Sequence, residues 1–471
     1  MKSQLLMTSL ALVAVTAAPQ CRPATPAADA RAVKVTLEEA KTAALQIKND
    51  FQRGQVLDEI GAAEAKAGDL DSAVDTANRA YPHTMSTLTA IGDQLSATGG
   101  VSKARAIGPK LRGGELSTIF AIIARHQAEG GGIEQALHTA EQIEDASVRS
   151  YALREIAHKQ ADAGDYVGAR KTLSVANTAY PAQPSPPEET EMTIAQGQIA
   201  QGQTEAARQT IASMKVTEMR SLALIAESDA LFKKGNSAAA RDWLDEGLRT
   251  LPAGRASEFS RYFAIPTEVK LGLKERAMQD AGSLSSEMQL KGYSAVATVC
   301  AEQKDMGGVR AALEKLRSAA AGGREGKELS QFQAKLMTLN VTAALIEAGL
   351  FDEAIGMLST LEEHVDAVSE MSIEREAQLQ RVVALARQGE FNKGQSLALH
   401  MRPDVVASHE RGTALRTVAL LETKANGIAS THQWASALAD AEDRAYALLG
   451  INQALLGIGD VRLPYSVIQV H

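Results

Sequence analysis

The chain has 471 residues, a formal net charge of −8 at pH 7, and two Trp, eight Tyr and eight Phe, 4% of the total. A mild acidic excess without a basic stripe argues against a partner that tracks nucleic-acid phosphates. Alanine supplies 83 residues, so the apolar content is dominated by small side chains, which favour close helix packing over a β-sandwich.

The first predicted element is a signal peptide. Lys2 is a minimal positive region, Leu5 to Ala18 is uncharged and mostly apolar, and small residues come after it. The run is too short to span a bilayer, and no later stretch is long and apolar enough. Cleavage is expected after Val15-Thr16-Ala17, which gives a signal peptide over 1–17 and an exported, periplasmic or secreted, protein. Cys21 is not expected to carry a lipid, because Ala18-Pro19-Gln20 does not fit the small-residue box before a lipidated cysteine. Proline and alanine over 18–35 read as a disordered tether. Thr36-Leu-Glu-Glu39 reads as a capping box opening a helix that closes the N-terminal end of a helical array.

A glycine followed five positions later by alanine then recurs: Gly68/Ala73, Gly99/Ala104, Gly131/Ala136, Gly164/Ala169, Gly202/Ala207, Gly235/Ala240, Gly272/Ala277, Gly307/Ala312 and Gly349/Ala354. Gly389 has Gly394 in the same slot. The mean spacing is about 36 residues, the signature of a repeat array. Eight residues before the early glycines stand Ile60, Ile91, Ile123, Ile156 and Ile194, each with a small residue directly after it. Large residues eleven and eight before the glycine complete an amphipathic stripe. The glycine ends this first helix in a left-handed cap, and the small residue after it lets a second helix pack closely. Each repeat is therefore a helical hairpin whose outer face is covered only when a neighbour stacks on it.

The proline cluster Pro181 to Pro187 places an exposed loop over 181–190, between repeats over 36–180 and 191–320. Ala321-Gly322-Gly323-Arg-Glu-Gly326 marks a flexible joint over 321–328. Repeats and a terminal helix pair fill 329–458, with the rhythm fading near residue 400, and 459–471 read as a free tail.

The pattern resembles the tetratricopeptide repeat. Ile156-Ala157, Gly164-Asp165-Tyr166, Ala169, Ala176 and Pro181 match its large, small, Gly-Asp-Tyr, Ala and closing Pro positions. The resemblance covers roughly residues 50–400 and implies an all-α, right-handed superhelical α-solenoid of about ten helix-turn-helix repeats. It departs where the family has an aromatic knob on the first helix: this chain has Glu64, Leu95, Gln127, Gln160 and Gln198. The repeat length favours an open array over a closed toroid.

No phosphate-binding Gly-Lys-Ser/Thr loop, zinc-binding His-Glu-x-x-His helix or calcium loop occurs, so neither cofactor nor metal is expected. Gly130-Gly131-Gly132 falls at an inter-helix turn. Cys300 lies in an apolar helical stretch, as a buried small hydrophobe does. Tyr151, Arg154 and His158 share one face of a first helix. Arg125 occupies the slot of His158 one repeat earlier, and Asp93 and Gln196 take it in the flanking repeats. Together they form a candidate groove in which the two arginines would grip a carboxylate or acidic peptide. The expected function is a non-catalytic exported scaffold for a protein or peptide segment. Two alternatives stay open: a secreted α/α-toroid enzyme acting on polysaccharide, and a cytosolic regulatory module.

Overall fold

The computed structural model describes residues 27–459 and 463, apart from 99, 113–114, 182–187, 252–254, 323–326, 362–367 and 403–409. The expected signal peptide, Cys21 and most of the proline loop lie outside these residues. Among the described residues the chain forms 24 α-helices and no strand. After α1 (Ala27–Ala44), the first helices of successive hairpins are α2 (Asp50–Lys66), α4 (Met85–Thr98), α6 (Glu115–Glu129), α8 (Ala146–Asp162), α10 (Glu189–Ala200), α12 (Thr217–Lys233), α14 (Arg255–Lys270), α16 (Ser286–Glu302), α18 (Lys327–Glu347), α20 (Val368–Arg387), α22 (Glu410–Asn426) and α24 (Ala441–Leu455). The second helices are α3 (Leu70–Ala80), α5 (Gly100–Ile107), α7 (Ile133–Ala140), α9 (Tyr166–Ala179), α11 (Thr204–Ala212), α13 (Ser237–Thr250), α15 (Lys274–Ser283), α17 (Met306–Gly322), α19 (Phe351–Leu361), α21 (Phe391–His400) and α23 (Ile428–Ser436). The chain is an all-α helical repeat protein.

The hairpin turn is set by its glycine. Gly164 has φ +87°, a conformation that would cost another residue about 1–2 kcal/mol. Its N–H donates to Ala161 O (2.9 Å) and the next N–H, of Asp165, donates to Gln160 O (2.8 Å), closing a Schellman cap. The Asp165 carboxylate then accepts from Gly168 N (2.8 Å) and starts α9. The alanine five residues on is fully buried at Ala73, Ala104, Ala136, Ala169, Ala207, Ala240, Ala277 and Ala354. One turn corrects the sequence reading. After α16 the left-handed residue is Lys304 (φ 59°), Gly307 lies inside α17, and the small-residue slot belongs to Val309.

The missing aromatic knob is replaced by a polar clamp. Thr139 Oγ1 donates to Gln127 Oε1 (2.7 Å), Thr172 to Gln160 (2.7 Å) and Thr210 to Gln198 (2.8 Å). Each pair joins the two helices of one hairpin at the same register, with both partners largely withdrawn from water, so neither polar group is left unmatched.

Every first helix packs on the next first helix, while consecutive second helices have no such packing. The first helices therefore form the inner wall and the second helices the outer layer. The expected open array is instead closed. α24 has no second helix after it in sequence, and α1 fills that place, packing along α24, while α24 also touches α2. Gln46, just past α1, accepts from Arg444 (3.0 Å) in the first turn of α24, so the two helices run antiparallel, as within a hairpin. Val33, Leu37, Ala40 and Ala44 of α1 share one core with Ala445, Leu448 and Leu449 of α24. Two polar contacts cross the seam: Arg416 of α22 pairs with Glu59 of α2, and His432 Nε2 of α23 lies 2.7 Å from Glu39 Oε2 of α1. The result is a ring of twelve hairpins where about ten were expected. With helices about 9 Å apart, the inner wall measures roughly 35 Å across between helix axes.

Three expectations change with this. α1 is one helix from Ala27, so the tether over 18–35 does not extend that far. Thr36 sits inside α1, its hydroxyl bonded to Ala32 O (2.7 Å), and is not a cap. Leu463, expected in a free tail, is 2% exposed.

Gly197 tests the close stacking. A Cβ there would lie 2.3 Å from Ala161 O, backbone that cannot yield without moving α8 from α10. Gly197→Ala should therefore cost about 3 kcal/mol in denaturant unfolding; an unchanged midpoint would show that the two helices are not in contact.

Candidate functional site

The exposed stripe of each first helix faces the space inside the ring, because its other sides meet the partner helix and the two neighbours. On α4 and α6 this stripe carries a charged cluster. Asp93 Oδ1 lies 2.7 Å from His126 Nε2 and 3.6 Å from an Arg125 nitrogen, and Glu129 Oε2 lies 3.2 Å from His126 Nδ1. The hydrogen bond to Asp93 is the main force raising the His126 pKa, against partial burial. Tyr151 of α8 is 51% exposed. Its phenol is pushed up first by burial and then by Glu155, with Arg125 opposing, so Arg125 and Tyr151 are within electrostatic reach.

The structure thus brings Asp93, Arg125 and Tyr151 together and adds His126. Arg154 faces elsewhere. Its guanidinium pairs with Glu189 and donates to Asn177 Oδ1 (2.9 Å), joining α8 to α9 and α10. His158 is half-buried on α8. Gln196 of α10 hydrogen-bonds Glu227 of α12. Neither arginine of the expected grip is without a carboxylate of its own chain.

Sequence reasoning passed over three other features. Glu227 occupies the slot eight before Gly235 where earlier repeats have isoleucine, and burial pushes its carboxyl up to about 7. Glu268 of α14 is fully buried, 2.9 Å from Arg276 Nε. Burial first, then the hydrogen bond with Asp280, raises it to about 8. Glu268 and Asp280 hold the register that Gln160 and Thr172 hold elsewhere, so a pair of carboxyls beside Arg276 takes the place of this clamp. The third feature is aromatic: on α14, Phe259 and Phe263 pack edge to face at 4.5 Å, Tyr262 lies 5.7 Å from Phe263, and Phe263 is 43% exposed. A polar residue in an isoleucine slot, and three aromatics within five residues of an aromatic-poor chain, were the available signals.

Cys300 is buried, and its thiol is pushed up to about 11 by that burial. Among the described residues no group of three or more His, Cys, Asp or Glu is placed to hold a metal ion, and no helix is long and apolar enough to cross a membrane. At the seam a groove of about 730 Å³ lies between α1 and α24, lined by Arg31, Lys34, Glu38, Arg444 and Leu448 among others.

Fold and inner wall define a closed helical-repeat ring. No family model and no curated protein matches the chain. Among solved structures it is similar to a circular tandem repeat protein with novel repeat topology and enhanced subunit contact surfaces, at 13% identity over 91% of this chain and 95% of the other. The TM-score is 0.21, so ring closure rests on the helix contacts described above.

Glu227 and Glu268 both ionise later in the folded chain than in the unfolded one. Their stabilising effect is full below the ordinary carboxyl value of 4.5 and is lost as pH rises through about 7 and about 8. Unfolding free energy should therefore fall between pH 5 and pH 8, and Glu227→Gln should remove about 3 kcal/mol of that fall. A variant whose pH dependence parallels the wild type would contradict the burial of this carboxyl.

Proposed function

We propose that the protein is an exported, non-catalytic scaffold, a diverged relative of the tetratricopeptide repeat, that holds a protein or peptide segment against its inner wall. The observation that carries this reading is the arc formed by Asp93, Arg125, His126 and exposed Tyr151 on consecutive first helices. A rigid amphipathic ring beside a charged cluster is the chemistry that anchors a polypeptide segment, and repeat arrays present such surfaces over long distances. Arg154, held by Glu189 and Asn177, stands apart from the arc. Export rests on the apolar Leu5 to Ala18 run after Lys2.

The alternative of a toroid enzyme acting on polysaccharide gains from ring closure and from the aromatics of α14. Against it, the two strongly shifted carboxyls, Glu227 and Glu268, sit within the helix packing and do not flank the inner space as an acid–base pair must.

Affinity capture from the cell envelope, run in parallel with wild type and with Tyr151→Ala plus Arg125→Glu, tests the scaffold reading. Proteins held by the wild type should be lost from the variant with helical circular dichroism unchanged, and the captured chain should lack its first 17 or so residues. An identical set of captured proteins would sink the arc as the binding face, and a full-mass cytosolic chain would sink export.

A further inference from the structure

We infer that one rim of the ring, at the ends of α1, α3 and α5, is a docking surface for an anionic lipid membrane. This surface lies outside the inner wall and is independent of the scaffold reading. First helices begin and second helices end at this rim, and α1, in a second helix's place, ends there too. Three consecutive turns carry the surface: 45–49 before α2, 81–84 before α4, and 108–112 before α6. They are knitted into one face. Arg53 Nη1 donates to Ile47 O (2.9 Å), holding the first turn on α2. Gly54 lets the second turn lie against α2, since a Cβ there would stand 2.9 Å from His83 Cδ2 and 3.0 Å from Ala80 O. The His83 ring meets Phe51 edge to face at 4.5 Å. Asn78 Nδ2 donates to Lys110 O (2.7 Å), tying the end of α3 to the third turn. On this face Leu45 (44%), Tyr81 (52%) and Met85 (65%) are exposed, with Pro82 beside them. Apolar residues exposed singly need no account, but a group of them on adjoining turns marks a contact surface.

Charge decides what covers these residues. The chain as a whole is acidic, at −8, yet residues 45–53, 79–86 and 108–112 hold five Lys or Arg against one carboxylate, Asp50. Asp50 pairs with Arg53, and two carboxylates from outside these stretches pair with Arg79 (Asp75, 2.9 Å) and Lys110 (Asp71, 2.8 Å). Lys48 and Arg112 are exposed and form no ion pair among the described residues. Glu115, within electrostatic reach of Arg112, is buried. Exposed carboxylates bound the patch on both sides: Asp440 in the turn before α24, and Glu141, Glu144 and Asp145 in the turn before α8. The surplus of cations is therefore local. Leu, Tyr and Met enter the interface of a bilayer while Lys and Arg beside them meet its anionic headgroups. Here the apolar tips stand on turns at the edge of the ring and not in a groove, which suits entry into a soft layer better than a fit to a rigid protein.

Co-sedimentation of the full chain with vesicles of phosphatidylglycerol or of phosphatidylcholine tests this. Affinity for phosphatidylglycerol should exceed that for phosphatidylcholine by about tenfold or more and should weaken as salt rises. Tyr81→Asp plus Met85→Asp, and separately Lys48→Glu plus Arg112→Glu, should each lower the affinity for phosphatidylglycerol about tenfold. All four side chains are exposed, so helical circular dichroism should not change. Equal retention on both kinds of vesicle, as an apolar N-terminus inserting by itself would give, would overturn the inference. Retention unaffected by either double variant would do the same, as would no retention on either vesicle, which would leave the surface to an acidic protein.

Discussion

The fold depends on the pairing of α1 with α24. A two-helix repeat hides its apolar face only against a neighbour, so an open array must end in two modified, polar-faced caps. Here neither end is capped. The last first helix receives its second helix from the opposite end of the chain, and the core runs without interruption from α24 into α1 and α2. The seam is reinforced where α24 is most enclosed. Gly450 lets α24 approach so closely that a Cβ would stand 2.2 Å from Arg416 O, and Gly412 makes room for the Tyr446 ring. Arg416 then reaches Glu59 in front of α24. Its guanidinium is deeply buried, a position that lowers its pKa and makes its partner carboxylate a structural requirement.

Much of this was legible residue by residue. The left-handed glycines, the buried isoleucines eight positions before them and the fully buried alanines five after them are short-range features, and a local rule written into sequence is read back easily. Lys304 escaped because its turn is set by backbone hydrogen bonds that a lysine can still satisfy, while the glycines at 307 and 308 offered a decoy. The rhythm fades beyond residue 400 because Gly427, still left-handed (φ 82°), is followed five positions on by His432 in place of a small residue. Closure escaped for a deeper reason. α1 carries no pairing signal of its own; its apolar residues specify a helix with one greasy face, and only the curvature accumulated over twelve hairpins determines which helix that face meets.

The candidate site was legible in part for the same reason. The stripe spacing placed Asp93, Arg125 and Tyr151 on one wall, since register within a repeat is local. It did not show that Arg154 would turn to Glu189 or that His126 would take Asp93, because those choices depend on long side chains meeting across helices. Ring closure also changes what the site can accept. A segment held inside a ring is bounded on all sides by one continuous wall, whose charged arc on α4 to α8 and aromatic patch on α14 offer two different chemistries.

Small-angle scattering of the purified chain tests the central claim most directly. A closed ring of twelve hairpins predicts a distance distribution with a hollow centre, ending near about 70 Å apart from the contribution of the residues beyond the ring. A distribution of an elongated particle, extending beyond about 110 Å as twelve hairpins stacked in a line would require, would contradict it.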